Sequence, residues 1–182
     1  MIRGETYSLI CGYARYGCEM NTFTDLSGTK MTKNLIFHNK MLKIECSQKA
    51  EEMAAQLNAF LVLEIQIYFS CMIGKRLAYY SDTPMPGVYQ LEASLFKDIL
   101  EDSQHLTGKL YVRFNTVMTK NCRISDYAGP PPVTDFAVAR SDAFVPNWLT
   151  IDYKNNMPVG EYGWFGSDTA IPNTRQIRSA AV

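Results

Sequence analysis

The chain has little of what enzyme sites are usually built from. It carries two histidines in 182 residues, His38 and His105, and neither sits in an H-E-x-x-H or H-x-E context, so no common zinc-hydrolase pattern is present. Its five cysteines, Cys11, Cys18, Cys46, Cys71 and Cys122, are odd in number and widely spaced. Without a C-x-x-C pair, the usual zinc-ribbon and thioredoxin-like patterns are excluded, and the thiols read as reduced, small core hydrophobes. There is no G-x-x-x-x-G-K-[ST], G-x-G-x-x-G or G-x-S-x-G. The stretch Gly160 to Gly166 (GEYGWFG) is glycine-rich, but bulky aromatics fill the space where a phosphate would approach the backbone. These absences predict no cofactor and no metal, and argue against an enzyme.

Charge of one sign is also missing. Eighteen basic residues balance eighteen acidic ones, so bulk charge favours neither nucleic acid nor an anionic membrane surface. The first residues (MIRGETYSLICGYARYG) form no signal peptide, because Glu5 and the tyrosines interrupt any apolar region. A cytoplasmic protein is the expectation. A membrane span over Leu57 to Ile73 approaches the required length of about 20 residues, but Glu64 lies at its centre, with Asn58 and Gln66 close by. A central acid costs about 2.5–3.5 kcal/mol even on lenient insertion scales, so a core segment is the better reading.

What is present is one long uninterrupted stretch, Ser47 to Tyr80, without proline and with Gly74 as its only glycine. Ser47 suits an N-cap, Glu51 and Glu52 complement the start of a helix dipole, and Lys75 and Arg76 its end. The stretch therefore reads as one central helix. A rival pattern runs through it: Leu61, Leu63, Ile65, Ile67 and Phe69 alternate with Val62, Glu64, Gln66 and Tyr68, as in a strand. That reading needs a break near Phe60, where no Gly, Pro, Asn-Gly or Asp-Gly supplies a turn, and the continuous helix is preferred.

Around it, residues 5–16 alternate as a strand, and Cys18 to Thr32 reads as a loop. Leu35 to Phe37 and Leu42 to Cys46 form a hairpin turning at Asn39-Lys40, with Leu42, Ile44 and Cys46 inward and Lys43 and Glu45 outward. A proline-rich loop over 81–87 leads to a second helix over 88–105, with His105 at its exposed end and Gly108 as its stop. Residues 110–118 are the clearest strand, returning through 119–121 into 122–127 as a second hairpin. Beyond Ala128, a proline run precedes strand-like pieces at 134–140 and 147–153 and the loop Lys154 to Pro158. Residues 159–182 show no helical period and read as an extended arm. Strands in hairpin pairs predict α+β, a largely antiparallel sheet packed on the long helix. The domain division is a core over 1–128 and an aromatic, Gly/Pro-rich segment over 129–182, packed on the same domain.

Four groups of residues are functional candidates. Glu64, an acid inside an apolar run, would have a raised pKa if desolvated; the alternative is a polar partner such as Arg113 or a tyrosine hydroxyl. A dyad of His38 with Cys46 or Cys71 has no local signature. Asp98, Glu101 and Asp102 read as a solvated helix face. Lys30, Lys33, Lys40 and Lys43, with Lys49, outnumber Glu45 across the first hairpin and, beside Tyr13, Tyr16, Phe37 and His38, could bind a single-stranded nucleic acid; the plainer reading is a solvated, lysine-guarded edge. Trp148, Tyr153, Tyr162, Trp164 and Phe165 gather in an irregular segment. Such rings suit partner binding, unless the segment folds back to plug its own core. The leading expectation is a non-catalytic protein–protein interaction or assembly protein, whose partner is another protein or a second copy of itself; a virus- or mobile-element-encoded inhibitor or structural subunit fits this sparse profile. Nucleic-acid binding through the hairpin 30–49 comes second, and an enzyme of unrecognised type third.

Overall fold

The computed structural model describes residues 30–70, 73–119 and 133–165. Period-two alternation over Met31–Phe37 (β1) and Lys40–Cys46 (β2) makes the expected hairpin, with Leu35, Phe37, Leu42, Ile44 and Cys46 buried. The turn is one residue earlier than the sequence suggests. His38 and Asn39 both have left-handed backbones, φ 48 and 63, as a two-residue turn matching strand twist demands. Met31 and Thr32, expected in a loop, belong to β1.

The long helix over 47–80 does not form. Ser47 does cap a helix, its hydroxyl accepting from the Ala50 N–H at 3.2 Å, but that helix, Gln48–Gln56 (α1), ends before Phe60. Leu61–Phe69 (β3) and Ile73–Ser81 (β4) then form an antiparallel pair in the register of the alternating pattern. The stop signal comes from a distant turn. The Lys109 N–H donates to the Ala54 carbonyl at 3.1 Å, and the Lys109 ammonium to the Asn58 carbonyl at 2.8 Å. Gly108, at φ +51, lies so close that a Cβ there would stand 2.4 Å from the Ala54 oxygen. Carbonyls at the helix end are thus satisfied without a local glycine cap.

The second helix is shorter than 88–105. Tyr89–Gln90 (β5) pairs in parallel with the end of β4, Ala93–Glu101 (α2) is helical, and Gln104–Thr107 (β6) is a strand that contains His105. Leu110–Thr119 (β7) is the strand expected there. Val133–Asp135 (β8) pairs with its end, and Ser141–Phe144 (α3) is a single turn. Trp148–Lys154 (β9) and Met157–Gly163 (β10) form a hairpin through Asn155 and Asn156, φ 51 and 59. Residues 159–163, read from sequence as part of an arm, are therefore sheet. The proposed strand over 5–16 and the return strand over 122–127 lie outside the described residues.

The fold is mixed α+β and dominated by sheet. One sheet has the order β1-β2-β9-β10, the other β5-β4-β3-β7-β6 with β8 beside β7. The pairs β2–β9, β3–β7 and β4–β5 are parallel, so the pairing is less antiparallel than hairpins alone predict. Leu42, Ile44, Leu149 and Ile151 from the first sheet and Leu61, Leu63, Ile65, Ile67 and Val112 from the second form one buried cluster. The core therefore lies between two sheets, with α1 at one end and α2 against the outer side of the second sheet through Phe96, Val62, Ala78 and Tyr80.

Side chains join the sheets at both edges. At one, the Lys33 ammonium donates to the His105 and Leu106 carbonyls, both at 2.9 Å, and the Gln104 amide to the Ile36 carbonyl at 2.6 Å. At the other, the buried Tyr162 hydroxyl donates to the Gln66 carbonyl at 2.8 Å and accepts from the Arg76 N–H at 3.1 Å. Tyr162→Phe removes both contacts. Its denaturant midpoint should fall by an amount equivalent to about 1–3 kcal/mol with an unchanged m-value; an unaltered midpoint would show that this hydroxyl does not join the sheets.

Candidate interaction face

Two outer faces remain once the core is built, and they differ in chemistry. On the second sheet, the alternation that sends Leu63, Ile65 and Ile67 inward sends Glu64 and Gln66 outward, beside Arg113 on β7 and Arg76 on β4. Glu64 is buried there. Arg113 donates through Nη1 to Glu64 at 3.1 Å and through Nε to Asp102 at 2.9 Å. Gln66 donates through Nε2 to the other Glu64 oxygen and to the Tyr80 hydroxyl at 3.1 Å, and its Oε1 accepts from Arg76 Nε at 2.9 Å. The chain Asp102–Arg113–Glu64–Gln66–Arg76 holds two acids and two guanidiniums, with the neutral Gln66 bridging Glu64 and Arg76. Arg76 Nη1 is without a hydrogen-bond acceptor, but the guanidinium stands 6.0 Å from the Tyr89 ring centroid, a favourable cation–π position.

Burial raises the Glu64 pKa, against the opposing pull of Arg113, the Gln66 hydrogen bond and Arg76; Asp135 adds to the rise. The polar-partner alternative for Glu64 thus describes its surroundings, with Arg113 as the partner. Burial also pushes the Tyr80 hydroxyl up to about 12. The network is enclosed by its own members and by α2, and two cavities lined by described residues lie elsewhere. One is a void beneath α1, the other an open depression of about 530 Å³ lined by His38, Asn39, Lys40, Ala139, Ser141 and Asp142.

The remaining chemical candidates are placed apart. His38 packs edge-on against Phe114 at 5.6 Å. His105 Nε2 is 3.0 Å from the Gly108 carbonyl oxygen. Cys46 is fully buried, and desolvation pushes its thiol up to about 12; Cys71 lies outside the described residues. Among the described residues, no cluster of three or more His, Cys, Asp or Glu could hold a metal ion, and no helix is long and apolar enough to cross a membrane.

The first sheet presents a different outer face. Ile36 and Met41 are cross-strand partners directed outward, 63% and 58% exposed. On the neighbouring hairpin, Trp148 is half-buried and lies over Gly163, where a Cβ would meet its ring at 2.6 Å. Phe165, 74% exposed, follows two residues later on the same side, its N–H donating to the Asn147 side chain at 3.1 Å. These four apolar side chains occupy one end of the face, and charged residues occupy the rest of it. Lys30, Lys43 and Lys154 share the face with Glu45 and Glu161; Lys43 pairs with Glu45, and Lys154 with the buried Asp152.

The residues singled out from sequence divide sharply. Tyr162 and Trp164 are core, the indole N–H of Trp164 donating to the Val145 carbonyl at 3.1 Å. Tyr153 packs partly on the same core. Only Trp148 and Phe165 of the five aromatic candidates present surface on this face. Of the lysines, Lys33 is held on carbonyls of β6, Lys40 donates to the Val145 carbonyl at 2.5 Å, and Lys43 pairs with Glu45 at 2.7 Å. Lys30 is exposed and near Glu45. Ile36 and Met41 were not among the sequence candidates, although the period of two already separates Ile36 from Leu35 and Phe37. No family model matches the chain, and no curated protein or solved structure is significantly similar to it.

Two outcomes follow from the titrating groups. Because burial raises the Glu64 pKa above its ordinary 4.5, the native state holds that proton more tightly than the unfolded state. Its contribution to stability is full below 4.5 and is lost as pH rises through the raised value. In Glu64→Gln this loss should be absent, so the difference in unfolding free energy between the two proteins should change with pH above 4.5; parallel pH profiles would contradict it. The Cys46 thiol should resist alkylation in the native protein and react on unfolding, as read by peptide mass spectrometry; rapid native labelling at Cys46 would disprove its enclosure.

Proposed function

We propose that this chain is a non-catalytic interaction or assembly protein that docks another protein on the outer face of its four-stranded sheet. The observation that carries this reading is the outward Ile36–Met41 pair, continued by Trp148 and Phe165 across the neighbouring hairpin. A solvated sheet face is normally polar. An exposed apolar cluster with an aromatic anchor, bordered by charged residues, has the composition of a protein interface.

Nucleic-acid binding is supported less well. A single-strand platform needs aromatic rings together with excess positive charge. The rings are present, but the lysines of the face are matched by acids, and Lys33 and Lys40 are occupied by backbone carbonyls. An enzymatic reading would need a cleft at the shifted acid, and Glu64 is covered by its partners.

Position-specific photo-cross-linking tests the proposal. A benzophenone side chain at position 36 should capture a protein in an extract of the producing cells. The same probe at Leu95, which is exposed on α2 beyond the other sheet, should capture at most one-tenth as much. Equal yields at the two positions would count against this face.

A further inference from the structure

The apolar end of this face is laid out in two halves. Ile36 and Met41 lie on the β1–β2 hairpin, and Trp148 and Phe165 lie on or just beyond the β9–β10 hairpin. The halves meet at the parallel β2–β9 seam, where Lys43 is level with Trp148, Glu45 with Thr150, and Trp148 with Gly163. The strand order is itself symmetric about that seam, with β1 and β10 outermost.

We infer that the face docks a second copy of this chain, face to face, about a two-fold axis running along the β2–β9 seam. This deepens the docking reading above and rests on it. Such an axis lays β1 over the partner's β10 and β2 over the partner's β9. The aliphatic half then meets the aromatic half twice, as a self-complementary contact requires. Lys43 of each copy falls over the indole of the other, a cation–π arrangement. Glu45 falls opposite a threonine, Thr150, and Glu161 opposite Thr32, so no acid faces an acid. The charge pattern therefore fits a second copy without like-charge contact, and the balanced 18 cations and 18 anions of the chain remove long-range repulsion between copies.

The size of the face bounds the strength. Four strands of seven residues span about 19 Å by 23 Å. That is smaller than the roughly 800 Å² per partner of a standard interface, so the dimer should dissociate on dilution.

Sedimentation velocity on the full chain over a dilution series should show a reversible doubling of mass. Ile36→Lys and Phe165→Lys should each weaken association at least about tenfold while leaving the melting temperature of the monomer unchanged. A pair of cysteines, Ile36→Cys with Phe165→Cys, supplies an independent readout. Within one copy these positions are separated by about three strand spacings, or 14 Å, beyond disulfide reach. Oxidation should yield a covalent dimer well above the level seen with either cysteine alone. A wild-type chain that stays monomeric at every concentration, or a dimer indifferent to both lysines, would overturn the inference. If the chain is monomeric while the probe at position 36 captures a different protein, docking on this face stands and self-association fails; if it captures nothing, both fail.

Discussion

Strand β3 has water on neither side, and the rest of the molecule follows from that. A strand buried on both faces normally carries apolar residues on both, yet β3 places Glu64 and Gln66 on its outer side, almost wholly enclosed. An ionised carboxylate buried without a partner is prohibitively costly, and a buried pair is strongly destabilised if one member is removed. The register of β3 against β7 is consequently fixed by more than hydrophobic pattern: Glu64 must lie level with Arg113. A slip of one residue would turn the inner apolar row towards the polar network and the carboxylate towards the apolar core together. Gln66, level with Arg76 on the other side, fixes the register of β4 in the same way.

How much of this was legible depends on where each signal resides. The first hairpin and the strand 110–118 could be read because alternation, turn residues and burial are all local. The pairing of Glu64 with Arg113 was within reach because each lies near the middle of an alternating run. The break after α1 was not, since the residues that end that helix are Gly108 and Lys109, some fifty positions away. A search for a turn signal near Phe60 finds nothing because none is there. The alternation in 61–69 was the better evidence, and the absence of a local breaker the weaker, because a distant hydrogen bond can satisfy a helix end where an absent side chain cannot create an alternating pattern.

The basic and aromatic clusters show the opposite error, in which composition promises more surface than folding leaves. Lys33 and Lys40 count as two charges in the sequence, but each ammonium donates to main-chain carbonyls of another element. Lys33 ties the first sheet to the second, and Lys40 ties the first hairpin to the segment before β9. Tyr162 and Trp164 likewise stand among candidate contact residues and act as the plug of the core. In each case a long amphipathic side chain does structural work at its polar tip. Only the three-dimensional partner separates this use from binding.

What remains is an asymmetry between the two outer faces. The second sheet is covered by α2 and by a closed polar network whose donors and acceptors are almost all matched, leaving little chemistry for a visitor. The first sheet has no helix across it among the described residues, and its aliphatic pair and aromatic neighbours stand outward at one end while the charges around them cancel. Keeping Ile36 and Met41 there brings the core nothing, since the inward residues of the same strands already fill it; either could be polar without loss to the fold. Apolar side chains that serve no internal packing, placed side by side on a regular surface, are best accounted for by a contact outside the monomer. For that reason the functional reading rests on the face that the architecture leaves open, and not on the acid that the sequence made conspicuous.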